Sequence, residues 1–254
     1  MSEDLHQQAA RCAELIRGAS RIALLSGAGL STAAGIQDFR GPNGLYTTAG
    51  IENPERIFDI RVFFQQPTLF YSFHRAFLEL LDRVEPTFAH RFFAELERQG
   101  KLAGIITQNI DSLHQRAGSE KVLEIHGGIW RAYCTECRKE FDYDSTRRLT
   151  FEHEVPHCEC GGIIKPDIVF FGEAVKHLNE CQQMASQSDL FFAVGSSLVV
   201  TPAAILPSLA PGPVVVVTMG EISPIFLPPH RIALHADCDI DTFFSAVNDE
   251  LGLV

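Results

Sequence analysis

Hydrophobic and polar positions change period repeatedly along this chain, and the changes divide it into helices and strands. Residues 3 to 18 place apolar side chains at helical spacing and stop at Gly18, which predicts an amphipathic helix. Residues 21 to 26 are almost continuously apolar and predict a first strand, running into the glycine turn Gly27-Ala28-Gly29. Residues 54 to 83 read as helical in pieces. Most of their aromatics, Phe58, Phe63, Phe64, Phe70, Tyr71, Phe73 and Phe77, are expected to form the packing face of a small helical insertion. A helix at 87 to 99, a strand at 102 to 107 and a short strand at 122 to 124 follow. Residues 130 to 165 are marked by turn residues and cysteines rather than by a period. Three more strands, at 189 to 194, 214 to 218 and 231 to 234, alternate with helices, and a last helix spans 240 to 250. Such alternation implies a parallel sheet covered by helices on both faces.

Length and charge narrow the classes. A chain of 254 residues, 46% hydrophobic and 21% charged, is long enough for one large core plus a satellite module. No repeat or low-complexity tract interrupts it. The net charge of −11 argues against capture of a nucleic-acid backbone, which needs clustered Lys and Arg, and fits a basic protein substrate better. The start, Met1-Ser2-Glu3-Asp4-Leu5, has neither a cationic nor an apolar leader segment, and no run approaches membrane-spanning length. The expectation is a cytoplasmic protein without membrane partners.

Seven cysteines without an export signal suggest reduced thiols. Cys134-x-x-Cys137 and Cys158-x-Cys160, the latter followed by Gly161-Gly162, are two close pairs on tight turns. Brought together across a hairpin, they supply the tetrahedral thiolates that Zn2+ prefers. The second pair is one residue tighter than usual, so His157 is an alternative ligand. Four thiolates fill the coordination sphere, so the ion is expected to be structural. Cys12 and Cys181 fall in predicted helices and read as core residues.

In a parallel sheet ligands gather at the carboxyl ends of the strands, and the polar clusters of this chain fall there. The first strand ends in Gly27-Ala28-Gly29-Leu30-Ser31-Thr32, where glycines let backbone approach a pyrophosphate and the following helix offers free N–H groups. The run Gly35-Ile36-Gln37-Asp38-Phe39-Arg40 follows at once, where a simple dinucleotide fold would continue as a helix. The strand at 102 to 107 ends in Gln108-Asn109-Ile110-Asp111, that at 189 to 194 in Gly195-Ser196-Ser197, and the short strand leads to His126-Gly127-Gly128. A histidine followed by two glycines at a strand end is well placed for proton transfer.

Taken in order, the glycine turn with Ser31, the Gly35 to Arg40 run, Gln108 to Asp111, His126-Gly127, the four cysteines, the segment 165 to 173 and Gly195-Ser196-Ser197-Leu198 resemble the sirtuins over nearly the whole chain. The resemblance implies a Rossmann-like NAD-binding domain at 1–44, 84–128 and 166–254. It also implies a small domain made of the helical insertion 45–83 and a zinc-ribbon insertion 129–165. The implied activity is NAD-dependent deacylation of protein lysines. The acyl oxygen displaces nicotinamide to give an imidate, and the acyl group then passes to ADP-ribose. Carried over by motif, His126 is the general base. Gln108 and Asn109 address the riboses or nearby water, and Asn109 counts with His126 as catalytic. Phe39 shields the reacting sugar face. Ala28, Thr32 and Arg40 hold the phosphates and their loop, together with Gly27, Gly29, Ser31 and Asp38. Ile36, Ile110 and Asp111 line the nicotinamide pocket, and Gly195, Ser196, Ser197, Thr218, Met219 and Cys238 complete the cofactor set. The implied substrate berth is Val169-Phe170-Phe171-Gly172-Glu173, where an acylated peptide adds as a strand. At least one of Phe170 and Phe171 also reads as core.

Departures from the family pattern sharpen the picture. Gln37 replaces a proline and Ser196 a threonine. The asparagine expected after the strand at 214 to 218 is absent, leaving Thr218, Met219 or Glu221 to meet the adenosine ribose. No tyrosine–arginine pair suited to an acyl carboxylate occurs from Leu45 to Ile60, where Tyr46-Thr47-Thr48-Ala49 puts alanine at the arginine's place. Phe58, Ile60 and Phe63 favour an apolar acyl pocket, with Arg56 and Arg61 as the cations near enough to alter it. Other readings are a mono-ADP-ribosyltransferase using the same pocket, a zinc-ribbon interaction module that leaves His126 idle, and a hydride-transfer enzyme.

Overall fold

A computed structural model describes residues 3–37 and 54–254. Asp38, Phe39 and Arg40, and the Tyr46 to Ala49 segment, lie outside the described residues. The chain forms α1 (Glu3–Gly18), β1 (Ile22–Ser26) and a 3-10 helix at Ala28–Ala34; after a second 3-10 turn at Pro54–Phe58 come α2 (Ile60–Gln65), α3 (Pro67–Leu81), α4 (Phe88–Arg98) and β2 (Leu102–Thr107). Next are α5 (Leu113–Arg116), β3 (Val122–Glu124), β4 (Gly127–Cys134), β5 (Glu140–Asp142), α6 (Tyr143–Glu152) and β6 (Ile164–Ile168). The chain ends with α7 (Leu178–Ser186), β7 (Leu190–Val194), α8 (Leu206–Leu209), β8 (Val214–Val217), β9 (Ile232–Ala236) and α9 (Ile240–Leu251).

Six strands form one sheet in the order β3-β2-β1-β7-β8-β9, with each neighbouring pair parallel. Every residue of β1, β7 and β8 is buried, as expected of strands covered on both faces. The pleat sends Ile22 and Leu24 to one face, where they meet Phe192, Phe93 and Phe244 beneath α1, α4 and α9. Ala23 and Leu25 point to the other, packing with Phe191, Ala193 and Leu206 against α7 and α8. Asp241 binds α9 to α4 by accepting the N–H groups of Phe88 and Ala89 at 2.9 Å each.

A second, antiparallel sheet of order β5-β4-β6 carries the cysteines. Its pairing has a consequence for the site. Gly127, next to His126, is opposite Ile168, and Cys134 is opposite Ile164. The two strands thus form a rod with His126 and residues 169–173 at one end and the cysteines at the other. Gly127 is in the left-handed region (φ 69°), and a Cβ there would lie 1.9 Å from the Asp167 carbonyl oxygen, so only glycine fits. The phenylalanine-rich insertion packs onto the same end. Phe58, Phe63 and Phe70 surround Phe170, with ring centroids 5.0 to 5.7 Å away.

The structure adds a helix that the sequence pattern did not indicate. Residues 143–152 form α6 inside the cysteine module, started by Asp142, whose side chain accepts the Ser145 N–H at 2.8 Å. Its sequence, YDSTRRLTFE, is mostly polar, so no apolar stripe announces it.

Candidate NAD-binding and catalytic site

The sheet order reverses between β1 and β7, and in open α/β sheets the crevice at such a switch point takes the ligand. Three glycines interlock there. The Gly27 N–H donates to Val194 O and the Gly29 N–H to Gly195 O, both at 2.9 Å. A Cβ on Gly27 would stand 2.6 Å from Gly195 O, and one on Gly195 (φ 65°) 2.2 Å from the Leu30 nitrogen. The turn is glycine-rich because two loops touch backbone to backbone, which also opens the floor of the crevice. Just beyond, Leu198 is held in the left-handed region (φ 54°) while fully buried, which turns the Ser196-Ser197 loop back over the sheet.

A cavity of about 490 Å³ occupies this crevice and continues to the end of the β4–β6 rod. Of the residues singled out in the sequence, Gly27, Ala28, Gly29 and Thr32 line it, as do Gln108, Asn109, Ile110 and His126. Gly195, Ser196, Ser197, Thr218 and Met219 extend this wall, and the whole segment 169–173 forms the far side. Ser31, Ile36, Asp111 and Cys238 are not among the described lining residues. Ser31 and Asp111 are bonded to each other, Oγ to Oδ2 at 2.6 Å, and are both buried. Ile36 packs in the aromatic cluster, and Cys238 is half-buried against the α1–α9 face of the core.

The polar residues are held by one another. The Asn109 side-chain amide donates to Gly27 O at 3.1 Å and to Ser31 Oγ at 3.2 Å, and its backbone N–H donates to Thr107 Oγ1 at 3.0 Å. Gln108 Nε2 donates to Ser196 Oγ at 2.9 Å, linking the ends of β2 and β7. Thr32 Oγ1 donates to Gly29 O at 2.9 Å and closes the glycine turn. Burial raises the Asp111 carboxyl, opposed by the Leu113 N–H and the Ser31 hydroxyl.

His126 sits where the two parts of the cavity meet. Its Nδ1 is 3.2 Å from Gln108 O. A carbonyl only accepts, so Nδ1 carries the hydrogen and Nε2 is the basic nitrogen of the neutral ring. Burial pushes its pKa below 6.5, partly offset by the bond to Gln108, so the ring is neutral at pH 7. The His126 carbonyl accepts the Val169 N–H at 2.8 Å, joining the base to the segment 169–173. That segment is clasped on its other side, where the Phe171 N–H donates to Phe58 O at 2.7 Å and the Ile60 N–H to Phe171 O at 3.2 Å. Phe170 is buried and Phe171 is 41% exposed.

The sequence pattern did not single out Val175, residues 199–201, Gly220, Asp239 or Ile240, and it gave Ile168 no site role, yet all of them line the cavity. A partial signal existed for Asp239. It follows a strand and caps α9, accepting the Thr242 N–H at 2.8 Å, so it belongs at a carboxyl end of the sheet. Arg56 and Arg61 are exposed and are not among the described lining residues, whereas Phe58 is.

At the far end of the rod, the sulfurs of Cys134, Cys137, Cys158 and Cys160 all lie within 4.8 Å of one another. Cys134 and Cys160 are 3.4 Å apart and Cys137 and Cys158 3.7 Å, too long for disulfides. Four sulfurs at a Zn–S distance of about 2.3 Å would be about 3.8 Å apart, so the set fits Zn2+. A Cβ on Gly162 would fall 2.5 Å from Cys134 Sγ, so a side chain there would fill the ion's cradle. His157 turns instead to its own loop, with Nδ1 3.0 Å from Gly161 O. The four cysteines are thus the group whose geometry could hold the ion.

Fold and site together define a dinucleotide-binding α/β protein with an attached zinc module. The chain belongs to the Sir2 family, whose model matches residues 27–202. Among its relatives, the NAD-dependent protein deacetylase of Sulfolobus acidocaldarius is 40% identical over 223 residues, 87% of each chain. That of Thermotoga maritima is 40% identical over 236 residues, covering 90% of this chain and 92% of that one. The structure superposes on a Sir2 protein in complex with a p53 peptide and NAD+ with a TM-score of 0.86 at 36% identity, covering 96% of this chain and 98% of that one. It matches a Sir2 protein bound to acetylated peptide with a TM-score of 0.84 at 34% identity, with the same coverage.

Proposed function

We infer that this chain is an NAD-dependent protein-lysine deacetylase that transfers the acyl group of an acyl-lysine to ADP-ribose and releases nicotinamide. One observation carries the reading. A single cavity joins the glycine crevice, the neutral His126 and the segment 169–173, so cofactor and peptide would meet at the base. The lining fits NAD. Glycine backbone, the Gln108 and Asn109 amides and the Ser196 and Ser197 hydroxyls offer the hydrogen-bonding groups that phosphates and riboses need. NAD, when bound, supplies a glycosidic bond to a good leaving group, nicotinamide, and hence a sugar carbon able to accept the acyl oxygen.

The residues of the chain do the rest. Nε2 of His126 takes a proton from the ribose hydroxyls so that one oxygen becomes nucleophilic. Asn109, fixed to Gly27 and Ser31, orients those hydroxyls or a water beside them; Ile36, Ile110 and Asp111 make up the nicotinamide pocket in the same reading, with Ile110 the one of the three that lines the described cavity. Thr218 and Met219, with Cys238 nearby, meet the adenosine. Residues 169–173 hold the peptide. Asp38, Phe39 and Arg40 complete the cofactor loop in the same reading.

The division into a dinucleotide-binding part at 1–44, 84–128 and 166–254 and a smaller part at 45–83 and 129–165 belongs to this proposal. It is supported by the separate sheets and hydrophobic clusters. No helix among the described residues is long and apolar enough to cross a membrane. Thiolate ligation requires reduced cysteines, which supports action in the cytoplasm.

Nicotinamide release, followed with and without an acetyl-lysine peptide, tests the reading. Release that depends on the peptide, with acetyl recovered on ADP-ribose, supports it. Adenine-labelled NAD that leaves label on protein without deacetylation would overturn it in favour of ADP-ribosyl transfer.

A further inference from the structure

The β6 strand contains a lysine where a core residue would be expected. Lys165 is 1% exposed, and a buried ammonium is costly unless it is paired and hydrogen-bonded. Its partners are specific. Nζ donates to Ile168 O at 2.7 Å and to Glu173 Oε2 at 2.9 Å, and it lies 4.1 Å from the Phe170 ring centroid. The same Glu173 oxygen accepts the Phe170 N–H at 2.8 Å, and the Glu173 N–H donates to Phe170 O at 2.9 Å. Residues 168–173 are therefore folded around one positive charge, delivered from the strand whose other end lies opposite Cys134. Burial pulls the Lys165 pKa down, and the Glu173 bond, with the Asp167 charge, opposes the shift.

We propose that Lys165 is a positioning residue for substrate: bridging Ile168 and Glu173, its ammonium sets the shape of residues 169–173 and so the affinity for the acyl-lysine peptide, without touching the reacting atoms. This rests on the reading of 169–173 as the peptide berth. It also gives the zinc module a route to the site. Movement of β6 would be felt at Phe170 through the Lys165–Glu173 bridge and at His126 through the Val169 bond.

The test is steady-state kinetics of Lys165→Met and Lys165→Arg with an acetyl-lysine peptide, alongside zinc content and thermal unfolding. Methionine keeps the stem and removes the charge. KM for the peptide is expected to rise about tenfold, with kcat and KM for NAD changed less than about twofold, because uniform binding is lost and the chemical step is not. Arginine should bring the peptide KM back to within about threefold of wild type, since it can reach the same oxygens. A folded, zinc-replete Lys165→Met protein with an unshifted peptide KM overturns the proposal, even if it melts at lower temperature, because its role would then be structural only. Should Lys165→Met not fold, Lys165→Gln removes the charge while keeping a hydrogen-bond donor on the side chain. A raised peptide KM supports the proposal and an unchanged one overturns it. Wild-type protein that neither binds nor deacetylates the peptide would overturn the functional reading itself, an outcome separate from active wild type with a silent substitution.

Discussion

The dinucleotide crevice and the cysteine cluster face the same problem, that of holding together side chains from distant parts of the chain, and they solve it differently. The crevice lies on the six-stranded sheet, whose two faces are covered by extensive apolar clusters running from α1 to α9. Its loops inherit their positions from that core through backbone contacts such as Gly27 N–H to Val194 O. Behind the cysteines there is little to rely on. The buried cluster there consists of Ala132, Cys134, Cys158 and Ile164, with Phe141 and Leu149 partly buried against it, and two of its members are themselves cysteines. A core that small cannot offset the entropy of ordering its loops, which is the circumstance in which a metal cross-link contributes folding free energy directly. The comparison teaches where each region is vulnerable. The crevice should fail through sterics at its backbone contacts, and the cluster through loss of its ion.

Removing zinc should produce the largest effect. Structural Zn2+ sites of this kind carry on the order of 10 kcal/mol of binding free energy. Chelation should abolish amide hydrogen-exchange protection across residues 127–168 while β1 and β7 stay protected, and deacetylation should fall because β4 and β6 end at His126 and Val169. Equal loss of protection in β1 and β7 would break the comparison, since the two regions would then be one cooperative unit.

Gly195→Ala probes the other region. The added methyl would meet the Leu30 nitrogen at 2.2 Å in a left-handed backbone, whereas Gly35 (φ 92°) has nothing within 4 Å of such a methyl. Urea unfolding should show a cost of at least about 3 kcal/mol for Gly195→Ala and about 1 kcal/mol for Gly35→Ala. Similar values for the two would mean that backbone contact does not hold the crevice.

His126→Ala should separate chemistry from both. Turnover should fall by a factor of about 100, the usual worth of a positioned base, with zinc content and exchange protection unchanged. Nicotinamide exchange should fall less than product formation. Because burial lowers the pKa of His126 and the neutral ring is the active form, kcat/KM should be flat above pH 7 and decline as pH falls through a value below 6.5. A profile that rises toward acid would remove His126 from the role of base.

Acyl selectivity is the smallest effect and concerns the seam between the regions, where Phe58, Ile168 and Phe170 line the cavity and Arg56 and Arg61 are exposed. A buried carboxylate without a guanidinium is costly. Acetyl-lysine should therefore be preferred over succinyl-lysine in the same peptide by at least about tenfold in kcat/KM, or about 1.4 kcal/mol. Equal rates would show that a cation reaches the acyl pocket.

The sequence by itself determined the sheet and its ends. Strands buried on both faces must be almost continuously apolar, and residues 22–25, 190–194 and 214–217 are apolar throughout; the polar runs that follow them then have to sit at the carboxyl ends. The cysteine cluster was also legible, because cysteine chemistry needs only spacing and a turn, and the fold brings the four sulfurs within 4.8 Å of one another. Tertiary structure decided what periodicity does not encode. The polar helix α6 depends on its cap and its packing on β4. Phe170 is buried and its neighbour Phe171 exposed because one turns into the aromatic cluster and the other away from it. Gly27 and Gly195 are paired by a loop contact across 168 residues of chain. Lys165 looks from its type like a surface residue, and only the fold brings Ile168 and Glu173 around its charge. The physical reason is one of range: burial pattern and turn chemistry are properties of a few consecutive residues, whereas desolvation and charge pairing are fixed by whatever the folded chain places alongside.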